Sequence, residues 1–217
     1  MTYLRFLLPL IGKAECLEDW KDVCKICNPS VFLLKCERTK TICGGFFINP
    51  NGYGVSAFHF YVDIGKKTND CFMNYNGKKY SFDIVAKSEE DHIIIVKGKG
   101  VKPEGFLKFA KETPVIGVEA AIFSTNPFGN PIFEPGYVLD LSYTKVQDVK
   151  FPCIRSSCRG GPGYSGGALV NRQGLVLGMQ KSFSNLFTVF DSIAIPSANI
   201  VKFLKKKAKE TENGWEF

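Results

Sequence analysis

Apolar positions follow two different periods along this chain, and the change between them marks three regions. Apolar residues between 15 and 27 recur at helical spacing and predict one short helix, which Pro29 ends. From residue 31 to about 195, short apolar or alternating runs are separated by turn residues, as in β-structure. Residues 196–209 return to helical spacing with lysines on the opposite face, which predicts an amphipathic helix.

The middle region predicts an all-β protein. Its clearest element is a hairpin, in which residues 44–48 enter the turn Asn49-Pro50-Asn51-Gly52 and residues 53–58 leave it. Further strands are predicted at 31–36, 79–85, 92–96, 115–124, 136–142, 168–171, 175–179 and 188–195. The polar segment 97–112 is interpreted as the linker between two β halves. Many short strands with almost no helix between them are typical of a β-sandwich or barrel.

Composition narrows the classes of protein that remain. The chain has 217 residues, of which 45% are hydrophobic and 23% are charged, and this composition excludes wholesale disorder. No apolar run approaches the ~18 residues of a transmembrane helix, so no membrane span is expected. The net charge of +7 and the run of three lysines at 205–207 permit nucleic-acid binding. A solvated helix face explains them better, and no nucleic-acid partner is expected.

The cysteines and the N-terminus bear on the compartment. Residues 1–12 resemble a signal peptide weakly, because Pro9 interrupts the apolar run and no small-residue cleavage site follows. An N-terminal strand or partner-contacting segment is favoured, and with it a cytoplasmic location over secretion, which stays open. Eight cysteines, at 16, 24, 27, 36, 43, 71, 153 and 158, have irregular spacing. Buried free thiols are predicted, with no metal and no cofactor, and a zinc cluster among the first five cysteines is the alternative.

The segment Gly160-Gly-Pro-Gly-Tyr-Ser-Gly-Gly167 is the strongest candidate for chemistry. Glycines allow backbone N–H groups to converge on one cavity, which can stabilise an oxyanion, and they leave the hydroxyl of Ser165 accessible. A plain glycine-rich turn is the alternative. The match to a G-x-S-x-G nucleophile elbow is eliminated, because that fold needs a histidine after the serine and both histidines precede Ser165. A triad whose residues follow the order acid, histidine, serine along the chain is also disfavoured, since the α/β pattern of strands alternating with helices that accompanies this order is missing.

The order histidine, aspartate, serine remains. His59 is expected where the first hairpin gives way to a loop, and Asp91 just before the strand at 92–96. A serine nucleophile needs an imidazole to take its proton and a carboxylate to orient that imidazole. His92 is the competing base. It is interpreted as structural, because neighbouring side chains on a strand face opposite sides and could not pair easily.

These segments resemble the trypsin-like serine proteases and, within them, the HtrA/Deg family. Residues 43–59, CGGFFINPNGYGVSAFH, resemble the family's G-x-G-F-I-I-x-x-D-G-x-I-L-T-x-x-H-V, and residues 91–96, DHIIIV, resemble D-L-A-L-L-K. Residues 121–129 resemble A-I-G-N-P-F-G, residues 162–178 resemble P-G-N-S-G-G-P-L-V-N-x-x-G-x-V-I-G, and residues 193–197 resemble F-A-I-P-S. The matches run in order over about residues 30–205.

The resemblance implies two antiparallel β-barrels of the chymotrypsin type, with a short N-terminal helix and a C-terminal amphipathic helix. It divides the chain into a segment at 1–27, a protease domain at 28–210 and a tail at 211–217. Within the domain, the first barrel spans about 28–100, the second about 112–198, and the closing helix 196–209. The chain ends soon after that helix, so a protease domain without the family's PDZ domain is expected.

The resemblance also implies the roles of the site residues in a serine endopeptidase that acts on polypeptides. Ser165 attacks a peptide carbonyl to form an acyl-enzyme, His59 moves the proton, and Asp91 orients His59. The backbone N–H groups of Gly163 and Ser165 form the oxyanion hole. The substrate pocket is expected among residues near the loop and the following strand: Arg159, Gly160, Met179, Gln180 and Lys181.

Departures from the family pattern leave substrate fit open. Tyr164 replaces the usual asparagine before the serine, Ala168 replaces proline, and Phe58 replaces a small residue before His59. If the side chain of Arg159 lies in the substrate pocket, it favours substrates with acidic side chains. The preferred interpretation is that Arg159 faces solvent, which leaves a pocket for small or medium apolar side chains of the substrate. A protease-fold binding or chaperone module with little turnover is the alternative function, and association into a homo-oligomer is left open.

Overall fold

The structure, a computed structural model, describes residues 19–146, 149–181 and 192–210, without the side chains of residues 144–151. Within these residues it has thirteen strands and three α-helices, and the predicted all-β architecture is confirmed. Residues 1–18 with Cys16, the first four residues of the predicted strand at 188–195, and the tail at 211–217 lie outside the described residues.

The first half of the chain forms a seven-stranded antiparallel sheet. Its strands are β1 (Val31–Cys36), β2 (Thr41–Phe47), β3 (Tyr53–Ala57), β4 (Cys71–Tyr75), β5 (Lys78–Tyr80), β6 (Phe82–Ser88) and β7 (Ile93–Gly98). They lie in the order β5-β4-β1-β2-β3-β7-β6. The β4–β5 hairpin turns at Asn76 and Gly77, whose φ angles of 48° and 72° suit the tight turn between two twisted strands.

The second half forms a closed six-stranded barrel. Its strands are β8 (Glu119–Thr125), β9 (Pro131–Val146), β10 (Val149–Ser156), β11 (Ala168–Val170), β12 (Val176–Lys181) and β13 (Ser192–Pro196). They follow the order β10-β13-β12-β11-β8-β9, and the pairing of β9 with β10 closes the ring. The loop that carries Ser165 connects β10 to β11, at the end of the barrel that faces β2.

Three helices accompany the strands: α1 (Trp20–Cys27), α2 (Phe58–Asp63) and α3 (Ser197–Glu210). The side chain of Asp19 caps α1 by accepting a hydrogen bond from the Lys21 N–H, and Val23 and Cys27 are buried on its inner face. The α3 helix buries Ile200, Phe203 and Leu204 and exposes lysines at 202, 205, 206 and 209, as its apolar spacing predicts. The α2 helix was not predicted from the sequence.

The main hydrophobic core is shared by the two halves. One continuous cluster of buried side chains includes Phe46 and Phe47 from β2, Phe123 from β8 and Leu204 from α3. A second, smaller cluster fills the closed barrel with residues such as Ile122, Leu169 and Leu177. Because β2 contacts β8 and β12 contacts β3, the two halves pack against each other at the strands that flank the Ser165 loop.

Two further properties bear on metals and membranes. In the described part of the chain, no group of three or more His, Cys, Asp and Glu side chains is arranged to hold a metal ion. The seven cysteines at 24, 27, 36, 43, 71, 153 and 158 are free thiols. Of the three described helices, none combines the length and hydropathy needed to cross a bilayer.

Candidate active site

The loop that carries Ser165 is a tight turn built on glycine. Gly163 has φ = 87° and Gly166 has φ = 88°, so the residues on both sides of Tyr164 and Ser165 adopt a conformation that glycine accepts readily. The Tyr164 N–H donates to the Gly161 carbonyl at 3.1 Å, and the Gly167 N–H donates to the Tyr164 carbonyl at 3.0 Å. These two bonds hold the serine at the top of the turn.

Both halves of the molecule fasten the backbone around Ser165. The Ser165 carbonyl accepts a 2.7 Å hydrogen bond from the Gly44 N–H on β2, and the Gly166 N–H donates to the Gln180 carbonyl on β12 at 2.8 Å. A Cβ at Gly166 would collide with the Gly44 carbonyl, so the close approach of loop and strand requires glycine. The backbone of Ser165 is therefore fixed between β2 and β12.

The hydroxyl of Ser165 and the backbone N–H groups of Gly163 and Ser165 have no partner among the described residues. Ser165 is only 5% exposed, and its Oγ has no hydrogen bond to any described residue. Among residues 19–146, 149–181 and 192–210, neither the Gly163 nor the Ser165 N–H donates to a protein acceptor. Buried groups of this kind are normally paired. A buried hydroxyl and two backbone N–H groups within three consecutive residues thus lack partners in the described structure.

His59 lies in α2 rather than in the loop that the sequence predicts. The helix begins immediately after β3, and its flanking aromatic residues Phe58 and Phe60 are buried and fix it against the first sheet. His59 is half-buried between them. The short helix therefore sets the direction of the imidazole through the packing of its neighbours.

In the described structure, His59 is hydrogen-bonded to Cys43, and no hydrogen bond joins it to the Ser165 hydroxyl. Burial opposes protonation of the imidazole, but the hydrogen bond to the Cys43 thiol and the negative charge of Asp63 outweigh it, so the pKa of His59 is raised. Lys181 acts in the opposite sense. The Cys43 thiol also donates to the Ser165 carbonyl at 3.1 Å. Cys43 is therefore the residue at which the histidine and the serine loop meet.

Asp91 lies in the turn between β6 and β7, and its carboxylate is held within that turn. Ser88 Oγ donates to Asp91 Oδ2 at 2.7 Å and accepts the Asp91 N–H at 3.1 Å. Among the described residues, Asp91 and His59 share no hydrogen bond. The structure thus brings Ser165 and His59 to one site through Cys43, but it does not show the aspartate bonded to the histidine.

His92 and Lys181 belong to the same group of side chains. Strand β7 begins at Ile93, so His92 lies in the turn with φ = 56°, and the alternation of side chains along a strand does not govern it. Burial and the charges of Lys181 and His59 lower the pKa of His92 to about 4, while Asp91 acts in the opposite direction. Burial alone lowers the pKa of Lys181, which is 7% exposed, to about 8.

Three of these neighbours were not assigned to this part of the site from the sequence. The sequence marks Cys43 only as a buried thiol, and it predicts a structural role for His92 and a place in the substrate pocket for Lys181. The available signal was indirect. Cys43 begins the same Cys-Gly-Gly segment whose resemblance to the protease family was noted, and His92 adjoins Asp91.

The other predicted pocket residues lie at different depths. Arg159 and Gly160 are exposed on the loop after β10, whereas Met179 is fully buried in the main core. Gln180 is 1% exposed and its Oε1 has no hydrogen bond to a described residue. A Cβ at Gly160 would lie 3.9 Å from Gln180 Nε2. Gly160 and Gln180 therefore face each other beside the serine loop.

Tyr164 holds the serine loop from the outside. Its hydroxyl donates to Glu134 Oε1 on β9 at 3.1 Å, and its ring lies against Gly161. Burial and the Glu134 carboxylate raise the pKa of Tyr164, so the phenol keeps its proton. The residue that departs from the family's asparagine is thus a structural anchor of the turn.

A buried serine in a glycine turn, held between a closed β-barrel and a second β-sheet, is the arrangement of serine-type peptidases, and the match to known proteins places the chain in that class. The chain belongs to the trypsin-like peptidase domain family, whose match covers residues 43–179. Polypeptides are the substrates of such enzymes.

Relatives and solved structures agree with this assignment. The chain is 28% identical over 137 residues to a probable periplasmic serine endoprotease DegP-like from Chlamydia trachomatis, a stretch that is 62% of this chain and 27% of that protein. The match thus spans about a quarter of that relative's length. The fold is similar to the active form of Rv3671c protease from M. tuberculosis, with a TM-score of 0.73, 16% identity and coverage of 95% and 92% of the two chains.

Other proteases have the same fold. Deg5 matches with a TM-score of 0.70, 17% identity and coverage of 84% of this chain and 90% of Deg5. The MamO protease domain from Magnetospirillum magneticum matches with a TM-score of 0.68, 20% identity and coverage of 81% and 95%. At these identities the likeness concerns the fold. It confirms the expected two-barrel architecture of the chymotrypsin type, and together with the family match and the DegP-like relative it confirms the HtrA/Deg resemblance.

Proposed function

We propose that the protein is a serine endopeptidase that cleaves polypeptides through an acyl-enzyme at Ser165. One observation carries the proposal: the buried Ser165 Oγ has no partner in the described structure, and neither do the N–H groups of Ser165 itself and of Gly163, two residues before it. A substrate carbonyl carbon beside Oγ would place its oxygen near the Gly163 and Ser165 N–H groups. Those groups would then stabilise the tetrahedral oxyanion.

His59 is the proposed general base. It takes the Ser165 proton as Oγ attacks the carbonyl and returns that proton to the leaving amine, and water then repeats the sequence to release the acyl group. Because the imidazole contacts Cys43 in this structure, the reaction requires it to turn toward Oγ. Catalytic hydrogen bonds are often formed only when substrate is bound. Asp91 is the proposed acidic member of the triad.

We further propose cleavage after small or medium apolar side chains. Arg159 is exposed, which supports the view that its guanidinium faces solvent, and Gly160 leaves space beside Gln180. The two residues described at this wall, Gly160 and Gln180, carry no negative charge for a lysine or arginine side chain. A peptide-library profile dominated by Lys or Arg would contradict this preference, and one dominated by Asp or Glu would assign Arg159 to the pocket.

The deciding experiment is active-site labelling. A fluorophosphonate probe is expected to label the parent chain at Ser165, with mass spectrometry locating the adduct, and to leave Ser165→Ala unlabelled. Digestion of an unfolded protein should fall by about four to six orders of magnitude in Ser165→Ala. Labelling elsewhere, or equal digestion by both proteins, refutes the assignment.

A second candidate function is a protease-fold binding module with little turnover. It is favoured by the contact of His59 with Cys43 and by the engagement of Asp91 with Ser88, since neither side chain is in its catalytic position. If the protein is such a module, the parent chain and Ser165→Ala should bind unfolded polypeptide equally well, and the fluorophosphonate probe should label neither of them. Rapid labelling of the parent chain excludes it.

A further inference from the structure

His92 is fastened to the helix that carries His59. Its backbone carbonyl accepts a 2.9 Å hydrogen bond from the N–H of Phe58, the first residue of α2, and the next residue, Ile93, pairs with Ala57. Its own N–H donates to the Glu89 carbonyl at 3.1 Å, which closes the turn. With φ = 56°, His92 is in the left-handed region, where histidine is one of the residues more often found. The backbone therefore holds His92 next to the residue that precedes His59.

The side chain of His92 lies among the charged groups of the site. His59 and Lys181 both act on it electrostatically, as does Asp91 from its own turn. The corresponding influences on His59 come from Cys43, Asp63 and Lys181. Ser88 holds the Asp91 carboxylate within the turn, and the imidazole of His92 interacts electrostatically with both Asp91 and His59.

We propose that His92 is a positioning residue for His59: its neutral imidazole accepts a hydrogen bond from the His59 ring, and the Asp91 carboxylate acts through it. This inference rests on the proposed serine-protease function. When His59 takes the Ser165 proton, one ring N–H of the imidazolium points at His92, so the ring keeps its orientation during acyl transfer. No covalent bond to His92 forms or breaks.

The protonation state of His92 suits this role. Its pKa of about 4 leaves it neutral, and therefore able to accept, at neutral pH. The groups that act on the pair from the packed elements are Cys43 on β2, Asp63 on α2, Lys181 on β12 and Asp91 in the turn. Lys181 opposes a positive charge on either ring. Cys43 and Asp63 favour a positive charge on His59, and Asp91 favours one on His92.

The test compares variants that respect the backbone at residue 92. His92→Gly removes the imidazole and accepts a positive φ without strain, and His92→Asp supplies a carboxylate and also tolerates that conformation. Glu90→Gln, an exposed residue of the same turn, is the matched control. Thermal unfolding of each variant establishes that it is folded before kinetics are measured on the intact chain.

For His92→Gly we expect kcat to fall by at least about 100-fold with KM within about threefold, because orientation acts on the chemical step. Free imidazole, which fits the space left by the ring, should restore part of the lost activity. For His92→Asp we expect kcat within about tenfold of the parent. The acid limb of the kcat/KM profile should rise by about one pH unit or more, since a facing carboxylate raises the pKa of His59.

Two outcomes overturn the inference. One is a His92→Gly variant with kcat within about tenfold of the parent while Asp91→Asn loses about four orders of magnitude, which is the behaviour of a direct His59–Asp91 pair. The other is an acid limb that does not move in His92→Asp. Either result leaves the proposed function intact, whereas failure of the probe to label Ser165 in the parent chain removes the proposed function itself.

Discussion

Cys43 joins the two side chains on which the proposed chemistry depends. Its thiol is fully buried, donates to the Ser165 carbonyl and is hydrogen-bonded to the His59 ring. Ser56 Oγ reaches Cys43 Sγ at 3.4 Å and donates to the Gly44 carbonyl at 2.6 Å, so the thiol is held in a polar network. A residue that the sequence marks only as a small apolar thiol therefore raises the pKa of the proposed base, His59.

We predict that Cys43→Ala moves the acid limb of the kcat/KM profile to lower pH. Cys43 raises the pKa of His59, so its removal lets the imidazole stay neutral in more acidic solution. The same change alters stability. When the pKa of His59 is higher in the folded state than in the unfolded state, protonation of the imidazole stabilises the fold. This contribution is present below the unfolded-state pKa of about 6.5 and is lost as pH rises through the folded-state pKa. Denaturant titrations across this range should show that contribution only in the parent.

Lys181→Met provides the opposite shift as a control for this prediction. Lys181 lowers the pKa of His59, so loss of its charge should move the acid limb to higher pH. Cys158→Ala, which removes a buried thiol bonded to the Ala120 carbonyl, should leave the profile in place. Equal profiles for Cys43→Ala and the parent would show that the thiol does not act on His59.

At the scale of secondary-structure elements, strand β1 faces β4 with two cysteines directly opposed, Cys36 and Cys71. Burial would raise the pKa of Cys36, but hydrogen bonds from Cys71 and Thr39 outweigh it and lower that pKa. Burial and the neighbouring Cys36 raise the pKa of Cys71 to about 12. The pair thus contains one thiol that ionises readily beside one that keeps its proton.

We predict that a mild oxidant joins Cys36 and Cys71 in a disulfide. Directly opposed residues of antiparallel strands have Cα atoms about 4.5–5.5 Å apart, within the range of disulfides, and thiolate character at Cys36 promotes exchange. Peptide mapping of the oxidised chain should find this bond, and reductant should reverse it. Cys71→Ser should lose it. A map in which Cys36 and Cys71 stay alkylatable while other cysteines pair would contradict the prediction.

Some elements could be predicted from the sequence because their patterns are local. Strand β1 matches the predicted bounds at 31–36, since it is apolar and bounded by turns. The α2 helix has only six residues, too few to show helical spacing among aromatic and β-branched neighbours. Strand β10 contains Pro152, which argues against a strand assignment. Strand β4 is short and was also missed.

The distinction between local sequence patterns and long-range packing also explains what could be predicted at the candidate active site. The glycine turn around Ser165 is encoded within eight residues, so its role is visible in the sequence. The contact of Cys43 with the Ser165 carbonyl joins residues 122 positions apart. The contacts of His59, His92 and Lys181 likewise depend on how β3, β7 and β12 pack. Long-range packing of this kind leaves no local pattern.

At the scale of the whole molecule, the α3 helix packs where the two halves meet. Leu204 and Val201 line one groove together with Ile48 at the end of β2 and with Phe106 and Leu107 of the linker. Leu204 also belongs to the buried cluster that includes Phe46 of the first half and Met179 of the second. Burial of the helix therefore stabilises both halves at once.

We predict that Leu204→Ala lowers the free energy of unfolding by about 2–5 kcal/mol, the range for truncation of a buried leucine, and that unfolding stays a single transition. Because the two halves share one core, the cavity left by Leu204→Ala destabilises both of them. Tryptophan fluorescence and far-ultraviolet circular dichroism should therefore report one common unfolding midpoint. The matched control is Lys206→Ala on the exposed face of the same helix, with a change of less than about 0.5 kcal/mol expected. If Leu204→Ala splits unfolding into two transitions, or shifts the midpoint no more than Lys206→Ala does, α3 does not couple the halves.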